Sequence, residues 1–264
     1  MFKLFVILSV ASFVASQGEI PNQCNQIQFK ACSANLAQAI NLSPELIFSN
    51  STIFRMQMAS NFYEGRAQVY NWVNQCNALS QFYGCLGQIN VNECLNPVGL
   101  IIMGLSPDMA FDYDGSFKQY AFECGVGFNQ RPEVYQCLGS TWMNAASQLT
   151  ALSLSYRLNV QHDPTNACKY ALALQNGYAA AFGNNNCRAL YQKWATWWGC
   201  SIMNEYVTGQ FRHCTNKCTY DQILTMGGNF IKFDEDGKML MLIPKTWHKD
   251  PITGELYQEE EMWL

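Results

Sequence analysis

The chain has 264 residues, 49% of them hydrophobic, and carries 16 basic against 20 acidic side chains. With 43 asparagines and glutamines against 36 charged residues, its surface is mildly acidic and solvated largely by amides. Such a surface offers no footprint for phosphate backbones and argues against nucleic acid as a partner.

The first residues, MFKLFVILSVASFVASQ, place Lys3 ahead of an apolar run from Leu4 to Val14, followed by the small residues Ala15 and Ser16. This is the pattern of a secretory signal peptide. Cleavage is expected near Ser16/Gln17, so residues 1–16 are assigned to the signal and the mature protein is expected to be secreted and extracellular. The run is too short to cross a bilayer comfortably and no later stretch approaches 18 uninterrupted apolar residues, so no membrane span is expected. Loss of Lys3 leaves 15 basic residues (16 − 1) against 20 acidic ones. In an oxidising compartment Cys24, Cys32, Cys76, Cys85, Cys94, Cys124, Cys137, Cys168, Cys187, Cys200, Cys214 and Cys218 are expected to form up to six disulfides. The spacing does not choose among roughly ten thousand pairings. The hydrophobic content implies a core of its own, which the bridges reinforce.

Four proline dipeptides punctuate the chain: Ser43-Pro44-Glu45, Ser106-Pro107-Asp108, Arg131-Pro132-Glu133 and Asp163-Pro164-Thr165. Proline suits the first helical position, where its missing N–H would be unpaired anyway, so each is read as a helix start. Glu45, Asp108 and Glu133 then meet the positive end of a helix dipole. Between 132 and 158, Val134, Leu138, Trp142, Ala145, Leu149, Leu152 and Tyr156 recur at steps of three and four, which predicts one long helix with a buried face. Further helices are expected near 22–40, 62–86, 116–125, 164–182 and 187–208, with Gly183 a stop signal. The fold class is all-α: a disulfide-stapled helical bundle over residues 17–227, as one compact unit or two subdomains. Residues 228–264 change period. In FIKFDEDGKMLMLI a two-residue Asp236-Gly237 turn predicts a small C-terminal β-hairpin, with Phe233 facing Leu240, Ile231 facing Leu242 and Glu235 meeting Lys238. KDPITGELY is expected to turn back along the ribbon, before a mobile acidic end, EEEMWL.

The stretch FRHCTNKC, Phe211 to Cys218, brings His213 close to Cys214 and Cys218. A zinc site needs about four ligands, and His162 and His248 lie in unrelated segments. A nucleophilic thiol needs an unpaired cysteine, which an even count does not supply. Cys214 and Cys218 are therefore read as two staples on adjacent turns of a helix. Asp112 and Asp114 in FDYDG are read as a solvated turn rather than a calcium pair, and DEDG lacks the remaining ligands of a calcium loop. Trp194, Trp197 and Trp198, at helical spacing, are read as core before ligand pocket. No G-x-S-x-G, H-E-x-x-H or phosphate-binding glycine loop occurs, so no catalytic residue, cofactor or metal is assigned and the protein is expected not to be an enzyme. Asn50-Ser51-Thr52 is a full glycosylation sequon expected in a loop, and Asn41-Leu42-Ser43 is a poorer one because Pro44 follows.

The segments CNALSQFYGCLGQINVNEC (76–94), FECGVGFNQRPEVYQCL (122–138) and CRALYQKWATWWGC (187–200) place aromatic pairs beside Cys-Leu steps between helices. In this the chain resembles the nematode secreted cysteine-rich domains of unknown function that carry twelve cysteines, and the related chondroitin-proteoglycan-type domains. The resemblance would cover roughly residues 24–218 and implies a secreted extracellular module without assigned catalysis. Two departures stand out: a long gap between Cys32 and Cys76, and the extra tail. The chain has no Ser-Gly dipeptide, so no chondroitin attachment is expected. C-x12-C occurs twice, at 124/137 and 187/200, which leaves an internal duplication open. The leading expectation is an extracellular interaction or matrix component, with an unknown extracellular protein or glycan as partner. The alternatives are a helical carrier of small apolar ligands, for which an enclosed apolar cavity above about 300 Å3 is expected, and a secreted inhibitor or effector.

Overall fold

The computed structural model describes residues 24–63, 69–128, 132–184, 187, 189–214, 216 and 218, and five short strands between 231 and 263 whose side chains are not described. The signal peptide at 1–16, the Asp236-Gly237 turn and the Glu235–Lys238 pair lie outside these residues. Nine α-helices are described: α1 Gln26–Ala39, α2 Ser51–Tyr63, α3 Val69–Cys94, α4 Pro97–Ile102, α5 Pro107–Cys124, α6 Pro132–Asn144, α7 Ala146–His162, α8 Ala167–Asn184 and α9 Ala189–Gln210. A 3-10 turn, Pro164–Asn166, leads into α8.

The proline rule holds at three of its four positions. Pro107 and Pro132 open α5 and α6, and Pro164 opens the turn before α8. Pro44 does not open a helix: residues 44–49 form only turns, with the Leu46 N–H donating to the Ser43 carbonyl at 2.9 Å. The helix of that region starts later, at Ser51, where Asn50 Oδ1 accepts from the Ile53 N–H at 3.1 Å. A second unanticipated cap is Asn96, which accepts from the Gly99 N–H at 2.9 Å and starts α4. Both are asparagine N-caps, which satisfy donors that a first turn leaves orphaned.

Helix ends follow from local chemistry as well. Asn41, at φ 56°, and Gly104, at φ 101°, take the left-handed position after α1 and α4. Leu42 N–H reaches Ala37 O at 2.8 Å, and Leu105 N–H reaches Leu100 O at 3.1 Å, closing both helices by the same six-to-one bond. The expected long helix over 132–158 is two helices bent at Ala145, whose φ of −103° and ψ of 11° leave the helical region. Thr141 O still accepts from Ala145 N–H at 2.8 Å, so the apolar face runs across the bend. Val134, Leu138, Ala145, Leu149 and Tyr156 are buried on it, as the spacing predicted. α3 is kinked at Gly87, which has φ 71°.

All twelve cysteines are paired: Cys24–Cys94, Cys32–Cys85, Cys76–Cys124, Cys137–Cys187, Cys168–Cys214 and Cys200–Cys218. The first three bonds lie wholly within 24–124 and the last three within 137–218, so no disulfide joins the two halves. The equal C-x12-C spacings have no counterpart in the pairing, because Cys124 and Cys137 belong to different halves. The halves share one continuous core. Trp72 packs edge-on against Trp198 with ring centroids 6.0 Å apart, and both indoles are fully buried. Their Nε1 groups donate to Glu123 O at 3.0 Å and Gly127 O at 2.9 Å, fastening the end of α5 and the turn after it. α5 and α9 cross at Gly115 and Gly209, where a Cβ on Gly209 would lie 2.6 Å from the Gly115 Cα.

Beyond the helices, β1 Ile231–Phe233 pairs antiparallel with β2 Met239–Ile243, β2 with β5 Met262–Trp263, and β3 Thr246–Lys249 with β4 Leu256–Glu259. The first register differs from the expected one by a single residue: Phe233 lies opposite Met239, and Ile231 opposite Met241. MLMLI is apolar at every position, so alternation could not distinguish neighbouring registers. Met262 and Trp263, expected in a mobile end, pair instead with Ile243 and Leu242.

Candidate functional site

The His-Cys stretch is structural. Cys214 is bonded to Cys168 and Cys218 to Cys200, so the two cysteines staple to different partners as expected. They do not sit on a helix, however: α9 ends at Gln210 and Phe211–Cys214 form a turn beyond it. Among the described residues, the one grouping of ligand-type side chains within 4.8 Å is Cys168, His213 and Cys214. Its sulfurs are bonded to each other and have no thiolate to give a metal. His213 itself is exposed, with the Phe211 ring edge-on at 6.1 Å.

Asp112 and Asp114 are not a solvated turn. Both lie inside α5 and are buried, at 3% and 5% exposure. They do not converge either, since positions two apart point to different sides of a helix. Asp114 binds Lys118 Nζ at 3.0 Å, and burial raises its pKa, which Lys118 partly offsets. Asp112 meets Arg55 of α2, Arg157 of α7 and the Tyr206 hydroxyl of α9. Its Oδ1 lies 3.8 Å from Arg55 Nη1 and accepts from Tyr206, while Oδ2 lies 3.7 Å from Arg157 Nη1. One carboxylate therefore draws together elements of both covalent halves. A buried carboxylate needs such partners, because an isolated charge is costly to desolvate.

Trp197 and Trp198 fill the core, Trp198 against Phe182 at 5.2 Å and Trp197 against Phe122 at 5.7 Å, with Trp194 beside both. None of the three lines the cavity that lies between α2, α5, α7 and the neighbouring faces of α6 and α8. It has a volume of about 280 Å3, is open to solvent on one side, and is walled mainly by Met56, Ala59, Tyr120, Trp142, Leu154 and Tyr178. Into this apolar wall are set Arg55, Arg157, Gln119 and Glu123. Helical spacing explains the set: Gln119 and Glu123 are one turn apart on α5, while Thr52, Arg55, Met56 and Ala59 follow one side of α2. The opposite side of α2, Phe54, Met58 and Phe62, is buried in the core.

Arg55 is the more deeply placed of the two arginines of the cavity, with 14% of its side chain exposed against 27% for Arg157. Its guanidinium carbon sits 4.1 Å from the Tyr206 ring centroid. Burial is the largest single influence and opposes its charge, but Tyr206, Asp112, Tyr120 and Tyr178 together outweigh it and hold its pKa above the ordinary value. Arg157 Nη1 donates to the Thr52 hydroxyl. Gln119 Nε2 donates to Glu123 Oε1 at 2.7 Å, while Gln119 Oε1 is buried without a partner. Burial pushes the Tyr120 and Tyr178 hydroxyls up, so both remain protonated donors; Tyr178 pairs with Ser153 at 2.8 Å.

Of the sequon residues, Asn50 is half-buried as the cap of α2 rather than lying in a free loop, and Asn41 is exposed at the end of α1. None of the cavity residues was singled out from the sequence for binding. Trp142 was placed on a buried face, and the two arginines carried no pattern at all. The asparagine cap before Ser51 was the one local signal that would have placed Thr52, Arg55 and Met56 on a helix. No family model matches the chain, and no curated protein or solved structure is found to be similar to it.

Proposed function

We propose that this is a secreted, non-enzymatic, disulfide-braced helical protein that binds a small, largely apolar ligand between its covalent halves. The cavity of about 280 Å3 carries this reading. Ligand sites usually occupy ~300–1,000 Å3; at about 280 Å3 and open to solvent, the space falls just below that range and short of the enclosed cavity expected of a carrier, so it suits only a small ligand held partly in solvent. Its open side provides entry; Cys124, Cys137 and Cys168 tie down α5, α6 and α8 and preorganise that part of the wall, while α2 and α7 carry no cysteine. Residues 1–16 direct export and are then removed, a glycan sits at Asn50, and the C-terminal ribbon is an appendage of the helical body. Titration of the disulfide-intact protein with the neutral probe 3-phenylpropan-1-ol, followed by calorimetry, tests the cavity. Saturable one-to-one binding that is lost when Leu154 at the rim is changed to Trp is expected. Absence of binding up to about 1 mM, a ΔG near −4 kcal/mol, would count against it.

A second reading, an extracellular interaction or matrix component with a protein or glycan partner, is favoured by Val98, Ile101 and Ile102. The short helix α4 leaves these in solvent at 66%, 39% and 67% exposure. Retention on an extracellular-matrix preparation that Ile102→Ser abolishes, with ligand binding intact, would select it.

A further inference from the structure

We infer that the ligand of this cavity is a monocarboxylate whose charged head rests on Arg55 while its hydrocarbon body lies against Met56, Tyr120, Trp142 and Leu154. The inference rests on the small-ligand reading above. A guanidinium has five N–H donors in a fixed fork. Those of Arg55 meet no hydrogen-bond acceptor among the described residues: Asp112 Oδ1 stands off at 3.8 Å, and Tyr206 offers only the face of its ring. Asp112 is not part of the cavity wall, whereas Arg55 is. A largely buried donor fork that opens on a cavity calls for an acceptor from outside, and a carboxylate matches it bidentately.

Charge placement sets the orientation. At the Arg55 end Asp112 faces both guanidinium groups, and Arg157 is also within electrostatic reach of the Asp108 carboxylate, so Arg55 is the cation of the wall with the least counter-charge of its own. The anion of the wall itself, Glu123, is eleven residues beyond Asp112 along α5, roughly 16 Å at about 1.5 Å per residue. It is already held by Gln119 at 2.7 Å. A single carboxylate brings one charge to the open Arg55 fork, whereas a dianion such as a phosphate monoester would bring a second charge with no further partner into an apolar pocket.

The test compares 3-phenylpropanoate with 3-phenylpropan-1-ol, near-isosteric probes that differ in the anionic head. Calorimetry on the disulfide-intact protein should give the carboxylate at least about tenfold tighter binding, the value of one charge-assisted hydrogen bond. Arg55→Lys should reduce that preference about tenfold and leave the alcohol unchanged, because the bidentate fork is lost and the charge kept. Leu154→Trp should remove both probes. Equal affinity of the two probes overturns the carboxylate assignment while the cavity reading stands. Failure of both probes, or binding untouched by Leu154→Trp, overturns both. Arg55→Met serves as a third variant where near-UV circular dichroism shows it folded, and a carboxylate preference persisting in it overturns the role of Arg55.

Discussion

The α5–α9 crossing makes a direct test of how the halves are joined. In Gly209→Ala the new Cβ would lie 2.6 Å from Gly115 Cα and 2.9 Å from Gly115 N. Both neighbours are backbone, so no rotamer can move aside. Ordinary contact begins near 3.4 Å, so the helices must separate by 3.4 − 2.6 = 0.8 Å. Overpacking of this kind costs about 1–3 kcal/mol, and backbone against backbone belongs at the upper end. Alanine recovers about 1 kcal/mol of helix propensity, for a net loss of about 2 kcal/mol. In a domain of this size that lowers Tm by about 4–8 °C. Gly84→Ala is the matched control: nothing lies within 4 Å of its Cβ, and it sits inside α3. It should stabilise by about 0.5–1 kcal/mol through propensity alone. Thermal unfolding of both variants with disulfides intact is the assay. If Gly209→Ala melts at or above the temperature of Gly84→Ala, the close approach of α5 and α9 is wrong.

Asp112→Asn leaves Arg55 and Arg157 without their shared counter-charge and should cost about 3 kcal/mol in urea unfolding; a loss under about 1 kcal/mol would mean that the arginines are not held by it. Asp114 has a folded pKa above its ordinary 3.8, so its contribution is favourable in acid and is lost as pH rises through the folded value. Asp114→Asn should therefore raise stability at pH 7 and change little at pH 3, given that the half-exposed Lys118 pair is worth little; equal effects at both pH values would contradict the burial argument. The Asp163 carboxyl, held at about 2 by hydrogen bonds from Thr165 and Asn166, should behave oppositely. Its contribution is present above 3.8 and fades as pH falls toward about 2, and a carboxyl NMR titration measures both values. A protease site placed between Phe128 and Pro132 should, once cut, release two fragments on a non-reducing denaturing gel, because the disulfides stay within 24–124 and 137–218; a single band would mean a bond crosses the halves.

Several elements were legible because their signals are local. Proline placed the starts of α5, α6 and the turn before α8, and apolar periodicity placed the buried face of α6 and α7. An even cysteine count in a chain with a secretory leader pattern implied full pairing. Pro44 misled because the same residue that opens helices also opens turns. Asn50 was read for its sequon and not for its capping side chain, which is why α2 went unnoticed and with it Arg55. Asp112 and Asp114 looked solvated because FDYDG reads as a turn, whereas Pro107 had already begun the helix that buries them.

By itself, then, the amino-acid order determined the helical class and the complete pairing of its cysteines, since these depend on contacts within a few residues or on chemistry common to all thiols. Which cysteine bonds to which, and the convergence of Arg55, Arg157, Asp112 and Tyr206 from four helices, were decided only by the tertiary structure. The cavity beside them belongs to the same category. Residues 52, 119, 142 and 157 become neighbours through the crossing of helices, and that crossing is set by packing across the whole core, which no short window of sequence contains.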